Sequence, residues 1–247
     1  MKPYYQDDLV TLYHGDCLEL SDVWTVADVL VTDPPYGMSY AGFGGRKGEP
    51  RRAGGALSIA GDGSADVRDH ALSSWGDKPA LVFGRWNIAR PSSTKMRLIW
   101  DKSPCGFMGD LNLPWGAAEE EIYVLGSGFT GKREGNVIRA QTLMSSDKNR
   151  PEHPTPKPIG LMEKLVSKTV GTVADPFAGS GATLLAARNL GRRAIGVELE
   201  EQYCELIAKR LSQQTFDFSP RAHPAHAEVR SSGWSGTEEP FDFGESA

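Results

Sequence analysis

Along the chain, short aliphatic and β-branched runs alternate with polar, glycine-containing punctuation: LVTLYHGD (9–16), VADVLVTD (26–33), PALVFGRW (79–86), MRLIWDK (96–102), EEIYVLG (120–126), GTVADPF (171–177) and RAIGVEL (193–199). Apolar runs of this length bounded by turn residues predict about seven strands. Most are continuously apolar, the pattern of strands covered on both faces. Helical periods lie between some of them. PKPIGLMEKLVSKTVG (156–171) sets Ile159, Met162, Leu165, Val166 and Val170 on one face, with proline near its start and Gly171 at its stop. GATLLAARNLGR (181–192) and EEQYCELIAKRLSQQ (200–214) predict two more helices, the last with Tyr203, Leu206, Ile207 and Leu211 in one stripe. These stripes are core packing. The order of elements predicts an α/β protein with a doubly wound, mostly parallel sheet.

Two stretches fall outside this pattern. Residues 41–66, AGFGGRKGEPRRAGGALSIAGDGSAD, are too rich in glycine and arginine to bury much, and read as a flexible surface loop. From residue 215 to 247 the chain turns to Ser, Gly, Pro and acid without a period, and reads as a disordered tail. The expected organisation is one catalytic domain over residues 1–214, because a chain of 247 residues can bury a single substantial core.

Charge changes the picture only when it is localised. The net charge is −5, yet residues 41–100 carry ten Lys/Arg against five Asp/Glu, and residues 198–247 carry four against ten. The basic stretch fits a nucleic-acid partner, with a solvated loop as the alternative. No apolar run approaches the roughly 18 residues of a membrane span, and MKPYYQDD is not a signal peptide. Cys17, Cys105 and Cys204 lack zinc-site spacing, and the histidines form no metal-binding pattern. The expectation is a cytoplasmic protein without a metal or a membrane partner. Trp75, Trp86, Trp100 and Trp115 are expected to pack in buried or half-buried positions.

TVADPFAGSGATLLAARNLGRRAIGVELE (172–200) reads as strand, glycine turn, helix and strand, with an acid closing the second strand. Gly179 and Gly181 allow a tight turn and close approach to a ligand, and Glu198 stands near the roughly 20-residue offset at which an acid accepts ribose hydroxyls. A P-loop would need Gly-Lys-Ser/Thr, and the dinucleotide pattern a third glycine where this chain has Leu184. With no basic residue in the turn, an adenosine cofactor without phosphates fits best, S-adenosylmethionine being the common one.

DPPY (33–36), HPTPKP (153–158) and DPFAGSG (175–181), in this order, resemble the beta-class amino DNA methyltransferases, in which the catalytic motif precedes the cofactor motif. The resemblance covers roughly residues 9–213 and implies a seven-stranded, Rossmann-like methyltransferase sheet with a small target-recognition segment at about 103–150. It implies that Asp175, Pro176, Phe177, Ala178, Gly179, Ser180 and Gly181 line the methionine part of S-adenosylmethionine, with Glu198 on the ribose. Asp16 and Cys17 would stand beside the adenine, and His153, Pro154, Thr155 and Lys157 would help hold the methionine end. Pro156 stands where family members often carry Glu. A homodimer is also implied.

The same resemblance gives the prolines at 34 and 35 a purpose. An exocyclic base amine is a poor nucleophile; the Asp33 carboxylate and Pro34 carbonyl, accepting its two N–H bonds, favour a pyramidal nitrogen whose lone pair faces the methyl group. Pro34 and Pro35 fix two φ angles and hold that carbonyl for the substrate. Asp33 thereby belongs to both the catalytic and the cofactor side. Tyr36 offers a face for the extruded base. Arg46, Lys47, Arg51 and Arg52, with Lys132, Arg133 and Arg139 nearer the recognition segment, are candidate contacts to double-stranded DNA. Asp at position 33 favours adenine N6 as the target. Cytosine N4, an RNA or protein amine, and a DNA-binding protein that has lost turnover are the alternatives.

Overall fold

The computed structural model describes residues 1–35, 66–104, 112–143, 147 and 150–213. Its strands are β1 (Tyr5–Gln6), β2 (Val10–His14), β3 (Val29–Thr32), β4 (Ala80–Gly84), β5 (Met96–Asp101), β6 (Glu119–Leu125), β7 (Val137–Arg139), β8 (Val173–Asp175) and β9 (Ala194–Glu198). The helices are α1 (Ser21–Trp24), α2 (Asp66–Trp75), α3 (Ile159–Val166), α4 (Ala182–Asn189) and α5 (Glu201–Gln213). All seven anticipated runs became strands. The sheet among the described residues nevertheless has nine, because β1 and β7 are added at its two ends. Two or three residues carry no readable period, and these strands exist through pairing with β2 and β5.

The sheet order is β1-β2-β9-β8-β3-β4-β6-β5-β7. Alternate residues of the central strands face opposite ways, as the period of two requires. Val29, Val31, Leu81 and Phe83 join one core, with Leu161, Leu165, Leu184, Leu185, Ile207 and Leu211 from α3, α4 and α5. Leu30, Ala80 and Val82 join the other, with Trp24 and Trp75 from α1 and α2. The two indoles stack at 5.9 Å and 15°, a contact worth about 0.5–1.5 kcal/mol beyond its buried area. Helices thus cover both faces, and the doubly wound α/β architecture holds.

Three details differ from the sequence pattern. α3 stops at Val166, and Val170 is exposed. The bonds Lys168 N–H to Leu165 O and Thr169 N–H to Val166 O span three residues and tighten the last turn, which carries Val170 out of the apolar stripe. α2 was not legible because its buried face is Arg68, Ala71 and Trp75, only two of them apolar. Trp75 and Trp100 are buried as expected, but Trp86 and Trp115 are 68% and 80% exposed.

Strands β2, β9, β8, β3 and β4 run parallel, and β6 runs against β4 with Gly84 opposite Glu121. The carboxyl ends of the parallel strands therefore share one edge with the start of β6. From the centre, β3 leads through α2 to β4 on one side, and β8 leads through α4 to β9 on the other. Connections diverge between β3 and β8, where open α/β sheets form a crevice for ligands.

Candidate active site at the carboxyl edge of the sheet

The turn after β8 is built around two left-handed glycines. Gly179 has φ +50° and Gly181 φ +77°, conformations that side-chain-bearing residues rarely adopt. Space is tight as well: a Cβ on Gly179 would stand 3.0 Å from His153 Nε2, and one on Gly181 2.9 Å from Ile207 Cγ1, so a neighbouring side chain would have to shift. Gly179 N–H donates to Glu198 Oε2 at 2.7 Å, and Glu200 N–H donates to Oε1 at 2.9 Å. The acid at the end of β9 is thereby locked to the glycine turn. Burial nevertheless pushes the Glu198 carboxyl up to about 7, against the two backbone donors.

Asp175, at the end of β8, is buried and pushed up to about 6 by its burial. It accepts from Thr32 Oγ1 at 2.7 Å and from Phe177 N–H at 3.2 Å. The Thr32 bond crosses from β8 to β3 and ties the turn to the residue immediately before Asp33. The charge of Asp33 bears on Asp175, and that of Asp175 on Glu198.

On the other side of β9, His14 lies in register with Glu198, and Gly15 N–H donates to Glu198 O at 2.9 Å. Asp16 and Cys17 follow directly. The Asp16 carboxylate accepts from Leu18 N–H at 2.8 Å. Cys17 is buried and its carbonyl accepts from Trp24 Nε1 at 2.8 Å; burial, then Asp16, pushes its thiol up to about 12, so it packs rather than reacts. His153 packs edge-on against Tyr203 at 4.7 Å. Burial and then Lys157 push it down to about 4, so it is a neutral ring over the glycine turn.

Asp33 ends the strand run of β3, and Pro34 and Pro35 behind it are buried. Lys157, just before α3, forms an ion pair with Asp33 Oδ2 and a second with Glu120 Oε2 at 3.3 Å. Its ammonium also stands 5.0 Å from the Phe83 ring. Tyr36 lies outside the described residues, as do Arg46, Lys47, Arg51, Arg52 and Cys105.

Of the remaining basic candidates, Arg139 ends β7 at the carboxyl edge, 77% exposed and paired with Asp101 Oδ2 at 2.9 Å. Lys132 and Arg133 are exposed but stand elsewhere. β6 runs away from the carboxyl edge, and Thr130 N–H and Lys132 O both bond to Lys168, beyond the far end of α3. The antiparallel direction of β6 thus removes these two from the neighbourhood of Asp33. β6 and β7 both fall inside 103–150, so that segment is partly woven into the sheet.

Thr32, Lys102 and Glu120 belong to the site and were missed by sequence reasoning. The one available signal was the triple acid Glu119-Glu120-Glu121 entering an apolar strand, where carboxylates need partners. Glu121, fully buried, finds Arg90 and Arg97 at 2.9 and 2.7 Å. Among the described residues no His, Cys, Asp and Glu side chains gather as metal ligands would, and no helix is long and apolar enough to cross a membrane.

A family model described as DNA methylase matches residues 78–210, more than half of the chain. The Type II methyltransferase M.ScaI of Streptomyces caespitosus is 27% identical, the match covering 86% of this chain and 84% of that protein. The putative methylase YubD of Escherichia coli (strain K12) is also 27% identical, covering 80% of this chain and 88% of its own. Among solved structures, the M1.HpyAVI–SAM complex aligns with a TM-score of 0.58 at 22% identity, over 82% of this chain and 99% of that one. The cytosine-N4-specific PvuII DNA methyltransferase aligns with a TM-score of 0.58 at 18% identity, over 85% and 88%.

Proposed function

The chain belongs to the DNA methylase family of N6/N4 methyltransferases, and from that premise we propose that it transfers a methyl group from S-adenosylmethionine to the exocyclic N6 amine of adenine in duplex DNA. The observation that carries this reading is the Thr32–Asp175 bond, which couples the strand bearing Asp33 to the strand bearing the glycine turn. A catalytic acceptor and a cofactor cradle on adjacent strands are what direct methyl transfer needs.

The chemistry of the edge fits a cationic adenosine cofactor. Asp16, Asp33, Asp175 and Glu198 stand at this edge, and the stretch from Asp175 to Gly181 itself has no basic residue to meet a phosphate; Arg210, which reaches the turn from α5, donates to the Ser180 carbonyl. S-adenosylmethionine, when bound, supplies an electrophilic methyl on a sulfonium. Asp175 to Gly181, with His153, Pro154 and Thr155, hold the methionine end, while Lys157, expected beside them, turns its ammonium to Asp33 and Glu120; Glu198 accepts from the ribose hydroxyls; Asp16 and Cys17 border the adenine. Asp33 and the Pro34 carbonyl accept the N–H bonds of the target amine, a fixed pair of acceptors in place before charge develops on it. Tyr36 stacks on the base after it leaves the duplex. The catalytic domain is residues 1–214. Trp86 and Trp115, which flank β4 and β6 at the same edge and are exposed, supply further surfaces on which bases stack.

Unmodified DNA treated with the protein and S-adenosylmethionine, then hydrolysed to nucleosides for mass spectrometry, is expected to contain N6-methyladenine. N4-methylcytosine without N6-methyladenine would reject the choice of amine. Asp33→Ala is expected to abolish product while cofactor affinity stays within a few-fold of wild type; turnover retained in that variant would refute the role given to Asp33.

A further inference from the structure

Behind Asp33 runs a row of alternating charge: Asp33 at the end of β3, Lys157 before α3, Glu120 on β6 and Lys102 just after β5. Lys157 is 7% exposed and Glu120 17%, and Lys102 Nζ meets Glu120 Oε1 at 2.5 Å. Glu120 Oε2 is buried without a hydrogen bond and meets Lys157 only as the ion pair at 3.3 Å. A buried charge is costly unless ion pairing and hydrogen bonds compensate its desolvation. Here every interior member has a counterion on each side.

We propose that Glu120, braced by Lys102, is a positioning residue for methyl transfer: it anchors the Lys157 ammonium at the point from which that ammonium fixes the Asp33 carboxylate. The proposal rests on the reading of Asp33 given above. A lysine stem has four rotatable bonds, and a single ion pair leaves its ammonium free to swing with its partner. Opposed carboxylates, Asp33 from one strand and Glu120 from another, define its place, and the Phe83 and Trp100 rings at 5.0 and 6.0 Å enclose it. Without Glu120 the Lys157 and Lys102 ammoniums face each other unshielded, and Lys157 leans on Asp33 alone. The carboxylate then loses part of what aims it at the amine.

The same row sets a protonation signature. Burial works against the Lys157 ammonium, but Asp33 and Glu120 outweigh it and carry its pKa above the usual lysine value. Burial likewise works against the Glu120 carboxylate, and Lys157 and Lys102 outweigh it. The other titratable neighbours are His153, which burial and then the Lys157 and Arg150 charges keep neutral, and Asp175, which faces Asp33 from β8. Removing the Glu120 charge therefore lowers the pH at which Lys157 loses its proton.

The test compares wild type, Glu120→Gln and Lys102→Gln for single-turnover methyl transfer to unmodified genomic DNA across pH, with S-adenosylmethionine affinity by calorimetry and folding by circular dichroism. In Glu120→Gln the rate at saturating cofactor is expected to fall between about tenfold and a hundredfold, the range that small misplacements cost. Cofactor affinity should change less than about threefold, and the alkaline fall of the rate should move to lower pH. Lys102→Gln should show the same changes, smaller. A folded Glu120→Gln with wild-type rate and an unmoved alkaline limb overturns the proposal. If Glu120→Gln does not fold, Lys102→Gln decides on the same two readouts. Failure of the underlying reading is distinct, because wild type itself would then methylate no DNA.

Discussion

Glu198 is the residue whose ionisation most directly tests the assignment of the cofactor site. Its carboxyl, pushed by burial from an ordinary 4.5 up to about 7, has to be charged to accept two ribose hydroxyls well. At about 1.36 kcal/mol per pH unit, that gap corresponds to about 3 kcal/mol of opposition to the ionised form in the unliganded protein. The sign for stability follows. A carboxyl raised in the folded state keeps its proton longer than in the unfolded chain, so its favourable contribution is complete below about pH 4.5 and is lost as pH rises through about 7. Cofactor affinity runs the other way and strengthens over the upper part of that window. The perturbation is Glu198→Gln, which keeps one acceptor for Gly179 or Glu200 and removes the titration. Calorimetric S-adenosylmethionine affinities for both proteins between pH 5.5 and 8.5, taken as a difference, cancel the ligand's own titration. Wild type should gain on the variant by up to about tenfold per pH unit below the midpoint and level off above it. Parallel curves would refute the argument, because they would mean that Glu198 does not change charge when the cofactor binds.

Two other outcomes follow from packing and exposure. A Cβ on Gly196, in the middle of β9, would stand 2.6 Å from Leu184 Cδ1 on α4, so Gly196→Val should destabilise the fold by about 1–3 kcal/mol in urea denaturation; an unchanged midpoint would show that α4 shifts without cost. Trp86→Ala and Trp115→Ala, at exposed positions, should leave the melting temperature within a degree or two while weakening DNA binding by about 1–3 kcal/mol each where a base stacks; equal binding to wild type by fluorescence anisotropy would remove them from the interface.

The glycine turn, the acid at its distance and the Asp-Pro-Pro run after β3 were legible in the sequence because each has a local signature. Gly179 and Gly181 adopt left-handed φ values that only glycine enters freely, and the requirement survives in the letters. The same holds for the continuously apolar strands, whose two-sided burial shows in composition before any partner is known. Elements without such a local signature were not legible. β7 has three residues and exists by pairing with β5, and the role of α2 is hidden by a buried arginine in its first turn. Trp86 follows β4 and is exposed, whereas Trp100 lies within β5 and is buried; where each strand stops is decided by its pairing partners and not by the run of letters.

Sequence alone determined the fold class and the family, since periodicity and glycine placement constrain the backbone residue by residue. Only the tertiary structure decided which charges meet. Thr32 reaches Asp175 across 143 positions and Lys157 reaches Asp33 across 124, because parallel crossovers return distant segments to one edge. The antiparallel turn of β6 sends Glu120 to that edge and Lys132 and Arg133 away from it. Ion pairs act through space over a few ångströms, and sequence separation carries no information about that distance.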